Sequence, residues 1–172
     1  IFNFVNNVVY NWVHRSSDGG DYQAMFNFIN NYYKPGPLTP KDSPVGHRII
    51  KPEAGLSKNK EKQYGRVYCA GNIMEGNERV TADNWDGGVQ IESQANTDGF
   101  TEKMRSDEPF AMPYIPVMSA QSAYDFVLDN AGATIPTRDI VDQRIIEEVR
   151  TGKAYYVKKL PKENPFGDTS GL

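Results

Sequence analysis

With 172 residues, 38% of them hydrophobic and 24% charged, the chain has the length for one domain with a buried core and the composition of a folded protein rather than a disordered one. Its net charge of -3, with the basic residues scattered, argues against a nucleic-acid backbone as partner, and no apolar run reaches the length of a membrane span. Cys69 is the single cysteine, which excludes an internal disulfide and a cysteine-built metal cluster and leaves the redox compartment open.

Ile1 opens directly on a strand-like run, with neither a Met nor a signal-peptide pattern. In "IFNFVNNVVYNW", Phe2 and Phe4 alternate with Asn3 and Val5, and Val8 and Val9 follow the pair Asn6 and Asn7. This predicts two short strands with a corner between them. The stretch "FNFVNN" at 2–7 returns as "FNFINN" at 26–31, 24 residues on. A weaker third copy is "RVYCAGNIMEGN", where Val67, Tyr68 and Ile73 flank Gly71 and Asn72. Asn7, Asn31 and Asn72 are then expected at equivalent corners, where their amides can bond to one another as a ladder. Such a period, with short strands, Asn and Gly corners and no long helix in the repeat, indicates an all-β parallel β-helix with coils ~4.8 Å apart. The alternative is a sandwich in which two hairpin strands share a motif. A solenoid takes about three or more repeats, so earlier coils are expected before residue 1, in the same protein or from another chain.

The coils are placed at 1–33 and 66–77 of a single domain. Between them, 34–65 is a loop excursion in which Pro35, Pro37, Pro40 and Pro44 interrupt any strand ladder. A second excursion, 78–116, has few periodic apolar positions; long loops on a rigid scaffold are where binding residues tend to sit. A helical cap follows at 117–153. Ser119 is expected to cap a first helix with Ala123, Phe126 and Val127 as its apolar stripe and Gly132 as its stop. Thr137 is expected to cap a second, with Val141, Ile145 and Val149 facing inward and Gly152 closing it. Arg138, Arg144 and Arg150 on that helix read as a solvated, salt-paired face. Residues 154–172 read as a tail with little structure.

The best site candidate is "HRSSDGGD", a loop between two coils. Arg15 could clamp a sugar carboxylate beside His14, and Asp18 and Asp21 could bind Ca²⁺; the bland reading is turn chemistry. His47, Arg48 and Lys51 form a small basic cluster that could face an anionic substrate or simply be solvated. Asp83 and Asp86 resemble a calcium loop only loosely, because Gln94 stands where the loop needs Glu. Trp12 and Trp85 could stack on sugar rings or be packed inside. Phosphate loops, zinc spacings and a Ser/His/Asp order are missing, so the residues themselves describe a binding surface without a catalytic engine.

"NNVVYNW", the loop ending "GGD", "NNYYKPGP", "GNERVTADNWDGGVQ" and above all "DNAGATIPTRDIVDQRIIEEVRTGK" resemble the C-terminal part of pectate lyases of the first polysaccharide lyase family, over nearly the whole chain. The resemblance implies a right-handed single-stranded parallel β-helix, found in secreted, periplasmic or outer-surface proteins. It also implies cleavage of polygalacturonate, the backbone of pectin, by Ca²⁺-dependent β-elimination. In that chemistry a cation neutralises the uronate carboxylate so that the adjacent proton can be abstracted, and the family's base is an arginine whose proton must be loosened by nearby positive charge. The family's Arg-x-Pro-Arg strand does not occur here. No catalytic residue is therefore carried over, the metal ligands stay unknown and are expected upstream, and the chain alone is expected to be inactive. His14, Arg15, Asp18 and Asp21 stand as substrate-binding candidates. The partners implied are polygalacturonate or a pectin oligosaccharide and an N-terminal β-helix segment of the same protein. The rivals are a non-catalytic β-helix that binds acidic polysaccharide and a purely structural solenoid end.

Overall fold

Phe2–Val5 (β1), Met25–Ile29 (β3) and Arg66–Ala70 (β7) pair side by side and parallel, in the order β1-β3-β7. Val8–Tyr10 (β2), Tyr32–Lys34 (β4) and Ile73–Met74 (β8) do the same in the order β2-β4-β8. The computed structural model describes residues 1–91 and 99–155. Its register follows the sequence repeat: Phe2 lies against Phe26 and Phe26 against Val67, while Val8 lies against Tyr32 and Tyr32 against Ile73. Asn6, Asn30 and Gly71 turn each corner in the left-handed region, with φ of 56, 50 and 69°, which Asn and Gly tolerate best.

The architecture corrects the expectation of an all-β, right-handed single-stranded parallel β-helix. Each parallel sheet stops at three strands, a separate two-stranded antiparallel sheet joins Ala54–Leu56 (β5) to Lys62–Tyr64 (β6), and four helices lie among the described residues. These are Glu78–Ala82 (α1), Phe100–Met104 (α2), Ala120–Asn130 (α3) and Ile140–Thr151 (α4). The result is a small mixed α/β chain and not a solenoid. The physical reason lies in the segments that break the repeat. After β8 the chain enters α1, whose Asn77 side chain accepts from Val80 N, instead of starting another strand. The segment 34–65, expected as irregular loop, forms a 3-10 turn at Pro44–His47 and the β5–β6 hairpin.

Phe26, Phe28, Val67 and Cys69 from the first sheet meet Tyr33 and Met74 from the second, and Trp12, Ile49, Ile50, Val80 and Val89 close the core around them. Across the corners runs a column of asparagines, partly buried at Asn7 and buried from Asn31 onward. Asn7 N and Nδ2 donate to Asn31 Oδ1 at 2.9 and 3.2 Å; Asn31 N and Nδ2 donate to Asn72 Oδ1 at 2.9 and 2.8 Å. A fourth member, Asn84, comes from the segment after α1: its Oδ1 accepts from Asn72 N and Nδ2 at 3.0 and 2.9 Å.

The two C-terminal helices pack Leu128, Ile146 and Val149 against Val8, Tyr10 and Tyr124. Their buried faces differ from the expected stripes. Ala120, Ala123 and Leu128 are inside on α3, whereas Phe126 is 54% exposed; on α4 Ile146 and Val149 are inside and Ile145 faces out. Ser119 caps α3 as expected, but Asp139, not Thr137, caps α4, accepting from Val141 N at 2.9 Å and Asp142 N at 2.8 Å. Arg144 pairs with Glu148 and Arg150 with Asp129, and Gly152 closes α4 at φ 70°. Residues 156–172 of the expected tail lie outside the described residues.

Candidate functional site

The loop between β2 and β3 carries all four candidate residues, and its side chains tie it to the 3-10 turn and to the segment that follows it. Trp12 is buried and donates from Nε1 to Val45 O at 2.9 Å. The Ser16 hydroxyl donates to the Arg48 carbonyl, and Ser17 Oγ donates to Ile49 O at 3.2 Å. Gly19 is buried so closely that a Cβ there would lie 2.5 Å from both Lys51 O and Pro52 Cα. Only glycine permits that approach. "HRSSDGGD" and "GHRIIKPE", read as two separate clusters, are therefore one surface.

Asp18 is the centre of it. Its carboxylate takes Arg15 Nη1 on one oxygen and Arg48 Nη1, at 3.6 Å, on the other. The Arg48 side chain is only 14% exposed and is aimed by Gln90, whose Oε1 accepts from Arg48 Nε at 2.8 Å. Gln90 is itself fixed by donating to Pro44 O at 2.6 Å and Gly87 O at 2.9 Å. Arg15 also donates from Nε to His14 Nδ1 at 2.9 Å, so that ring nitrogen acts as an acceptor. Two guanidiniums share one carboxylate, which leaves one net positive charge on a pre-oriented, half-exposed surface. Such a fork suits a carboxylate ligand.

Asp21 does not join the cluster: its Oδ1 accepts from Gln23 N at 2.8 Å, turn chemistry within the loop. With Asp18 held by cations and Asp21 by backbone, the pair does not form a calcium site. Among the described residues no three His, Cys, Asp or Glu side chains are grouped to hold a metal ion. Asp83 accepts from Trp85 N and Asp86 from Arg79, while Gln94 lies outside the described residues. The described side chains of this loop therefore do not form a calcium site.

His47 separates from Arg48. It lines a cleft of about 250 Å³ with Lys41, Thr39, Glu75 and Asn77, and burial first, then the Arg79 charge, push its pKa below the usual histidine value. Neither tryptophan offers an open stacking platform: Trp12 is inside, and the Arg105 guanidinium sits 5.4 Å over the Trp85 ring. Gln90, which orients Arg48, was missed in the sequence. It lies 42 residues from Arg48, and its only signal is its place beside Val89, whose bridge to Ile50 is a long-range contact. In the cluster the serines are spent on carbonyls and His14 on Arg15, so no nucleophile and base are paired. The arrangement can bind an anion and orient it.

No family model matches the chain, and neither does any curated protein or solved structure.

Proposed function

We infer that the chain is part of a pectate lyase, a polysaccharide lyase that cleaves polygalacturonate by calcium-dependent β-elimination, and that its share of the work is to bind substrate. The observation that carries this reading is the convergence of Arg15 and Arg48 on Asp18, with Arg48 held by Gln90. Polygalacturonate presents a carboxylate on every sugar. A guanidinium held in place by an internal carboxylate loses little freedom when a ligand carboxylate takes a share of it. Arg15, the more exposed of the two, exchanges Asp18 for the ligand, and Arg48 stays fixed. The motifs from Asn6 to Trp12 and from Asp129 to Lys153 support the family reading. In it the base and the calcium ligands belong to an N-terminal segment of the same protein, and the protein works outside the cytoplasm, secreted, periplasmic or on the outer surface.

A second reading, non-catalytic binding of acidic polysaccharide, is favoured by the lack of a paired nucleophile and base in the cluster. One experiment separates them. The protein together with its N-terminal segment is incubated with polygalacturonate and calcium, and the ultraviolet absorbance of the unsaturated uronate product is followed. Product that disappears with a chelator supports the lyase; binding without product supports the second reading; neither leaves only a structural role. In the described residues no helix is long and apolar enough to cross a membrane.

A further inference from the structure

The cleft beside His47 shares no lining residue with the Asp18 cluster, and the fold has already oriented two of its polar groups. Glu75 lines it with one oxygen engaged: Oε2 accepts from the Tyr32 hydroxyl at 2.8 Å and pairs with Lys34 Nζ at 3.2 Å. The Lys34 side chain is only 12% exposed, and the Tyr124 ring lies 5.6 Å from its nitrogen, so this anchor is itself held. Asn77 lines the cleft with its carboxamide fixed, because Oδ1 accepts from Val80 N at 3.1 Å as the cap of α1. Among the described residues no hydrogen bond engages Glu75 Oε1 or Asn77 Nδ2. A pre-oriented acceptor and a pre-oriented donor thus stand two residues apart, and Pro35, Pro40 and the buried Met74 supply apolar wall.

Charge decides what enters. Glu75 is offset by Lys34 and Arg79 by Asp86, and burial together with Arg79 keeps the His47 ring uncharged at neutral pH. An incoming carboxylate meets the free oxygen of Glu75, and an incoming cation meets Lys34 and Lys41, so ions of both signs are disfavoured. Hydroxyl groups suit the cleft: they donate to Glu75 Oε1 and accept from Asn77 Nδ2 and the Lys41 ammonium. Its volume of about 250 Å³ lies below the ~300–1,000 Å³ of sites for drug-sized ligands, which limits the occupant to about one ring. We propose that this cleft binds one neutral pyranose through its hydroxyls, at a site built from other residues than the uronate surface and with a different charge preference.

The chain has two histidines, and each reports on one surface: His47 on the cleft and His14 on the Asp18 cluster. Their imidazole signals in a nuclear magnetic resonance titration test the proposal, with methyl galactoside, methyl glucoside and methyl mannoside as probes. At least one of the three is expected to move the His47 signals saturably and to leave those of His14 in place. Asn77→Ser keeps an oxygen for the cap and removes the Nδ2 donor, so it should melt as the parent does and bind about tenfold more weakly. Lys41→Ala, at an exposed position, is expected to weaken binding as well. His47 signals that none of the three sugars moves, or an affinity that both variants leave unchanged, would overturn the proposal. So would tighter binding of galacturonate than of the neutral sugars in the cleft. Trigalacturonate is read at His14, so each of these failures is distinguishable from a failure of the uronate reading.

Discussion

Asn31, itself fully buried, makes and receives bonds in both directions: it accepts from Asn7, donates to Asn72 Oδ1 and also donates to Phe4 O at 2.8 Å. Asn31→Ala leaves several buried groups without partners, and each such group costs about 1–3 kcal/mol. A loss of roughly 3 kcal/mol in urea denaturation is expected; a loss under about 1 kcal/mol would mean that the column is not a source of stability. Burial pushes the Cys69 thiol well above the usual cysteine value, so the native protein should resist alkylation at neutral pH and react at once when unfolded. Rapid native labelling would contradict its placement in the core. His47 supplies the pH dependence. Its folded pKa lies below the usual 6.5, so as pH falls below that value the unfolded chain takes up a proton that the folded chain refuses. Stability should therefore rise with pH up to about 6.5 and fall on acidification, and His47→Gln should flatten that slope.

The helices and loops show how far local sequence reaches. Ser119 was legible as a cap because it stands directly before the apolar pattern of its helix, and Gly152 as a stop for the complementary reason. Thr137 has the right chemistry two residues too early; Asp139 wins because its carboxylate accepts from two main-chain donors, Val141 and Asp142. Asp139→Ala should cost about 1 kcal/mol and Thr137→Ala close to nothing, in paired thermal or urea melts. The apolar stripes were misplaced by about one position because which face goes inside is decided by β2 and β4, not by the helix. Phe126 and Ile145 satisfy the helical period and still face solvent. In the β2–β3 loop, "DGGD" reads as a turn, yet Gly19 is required by the approach of residues 51–53. Gly19→Ala should destabilise by roughly 1–3 kcal/mol, as overpacking against backbone does, and should loosen the Asp18–Arg48 pair. An unchanged melt would mean the loop is free to move away.

For the molecule as a whole, the repeat was legible because the period-two aromatic pattern and the corner asparagines occur twice almost unchanged. Their pairing and register follow it residue for residue. The extrapolation from that repeat to an all-β solenoid failed. The expectation took the segments after β4 and β8 as excursions from a continuing stack, whereas the first holds a hairpin of its own and after the second the chain enters helices, each sheet keeping three strands. The site was legible only in halves. Arg15 and Asp18 stood together in the sequence, but their junction with Arg48 and Gln90 depends on contacts between residues 30 and 42 positions apart. The claim that this junction is an anion-binding surface for uronates is tested most directly by calorimetric titration of the chain with trigalacturonate, beside Arg48→Ala. Saturable binding that weakens with salt and falls about tenfold or more in the variant is predicted; no binding, or binding that the variant leaves unchanged, would contradict it.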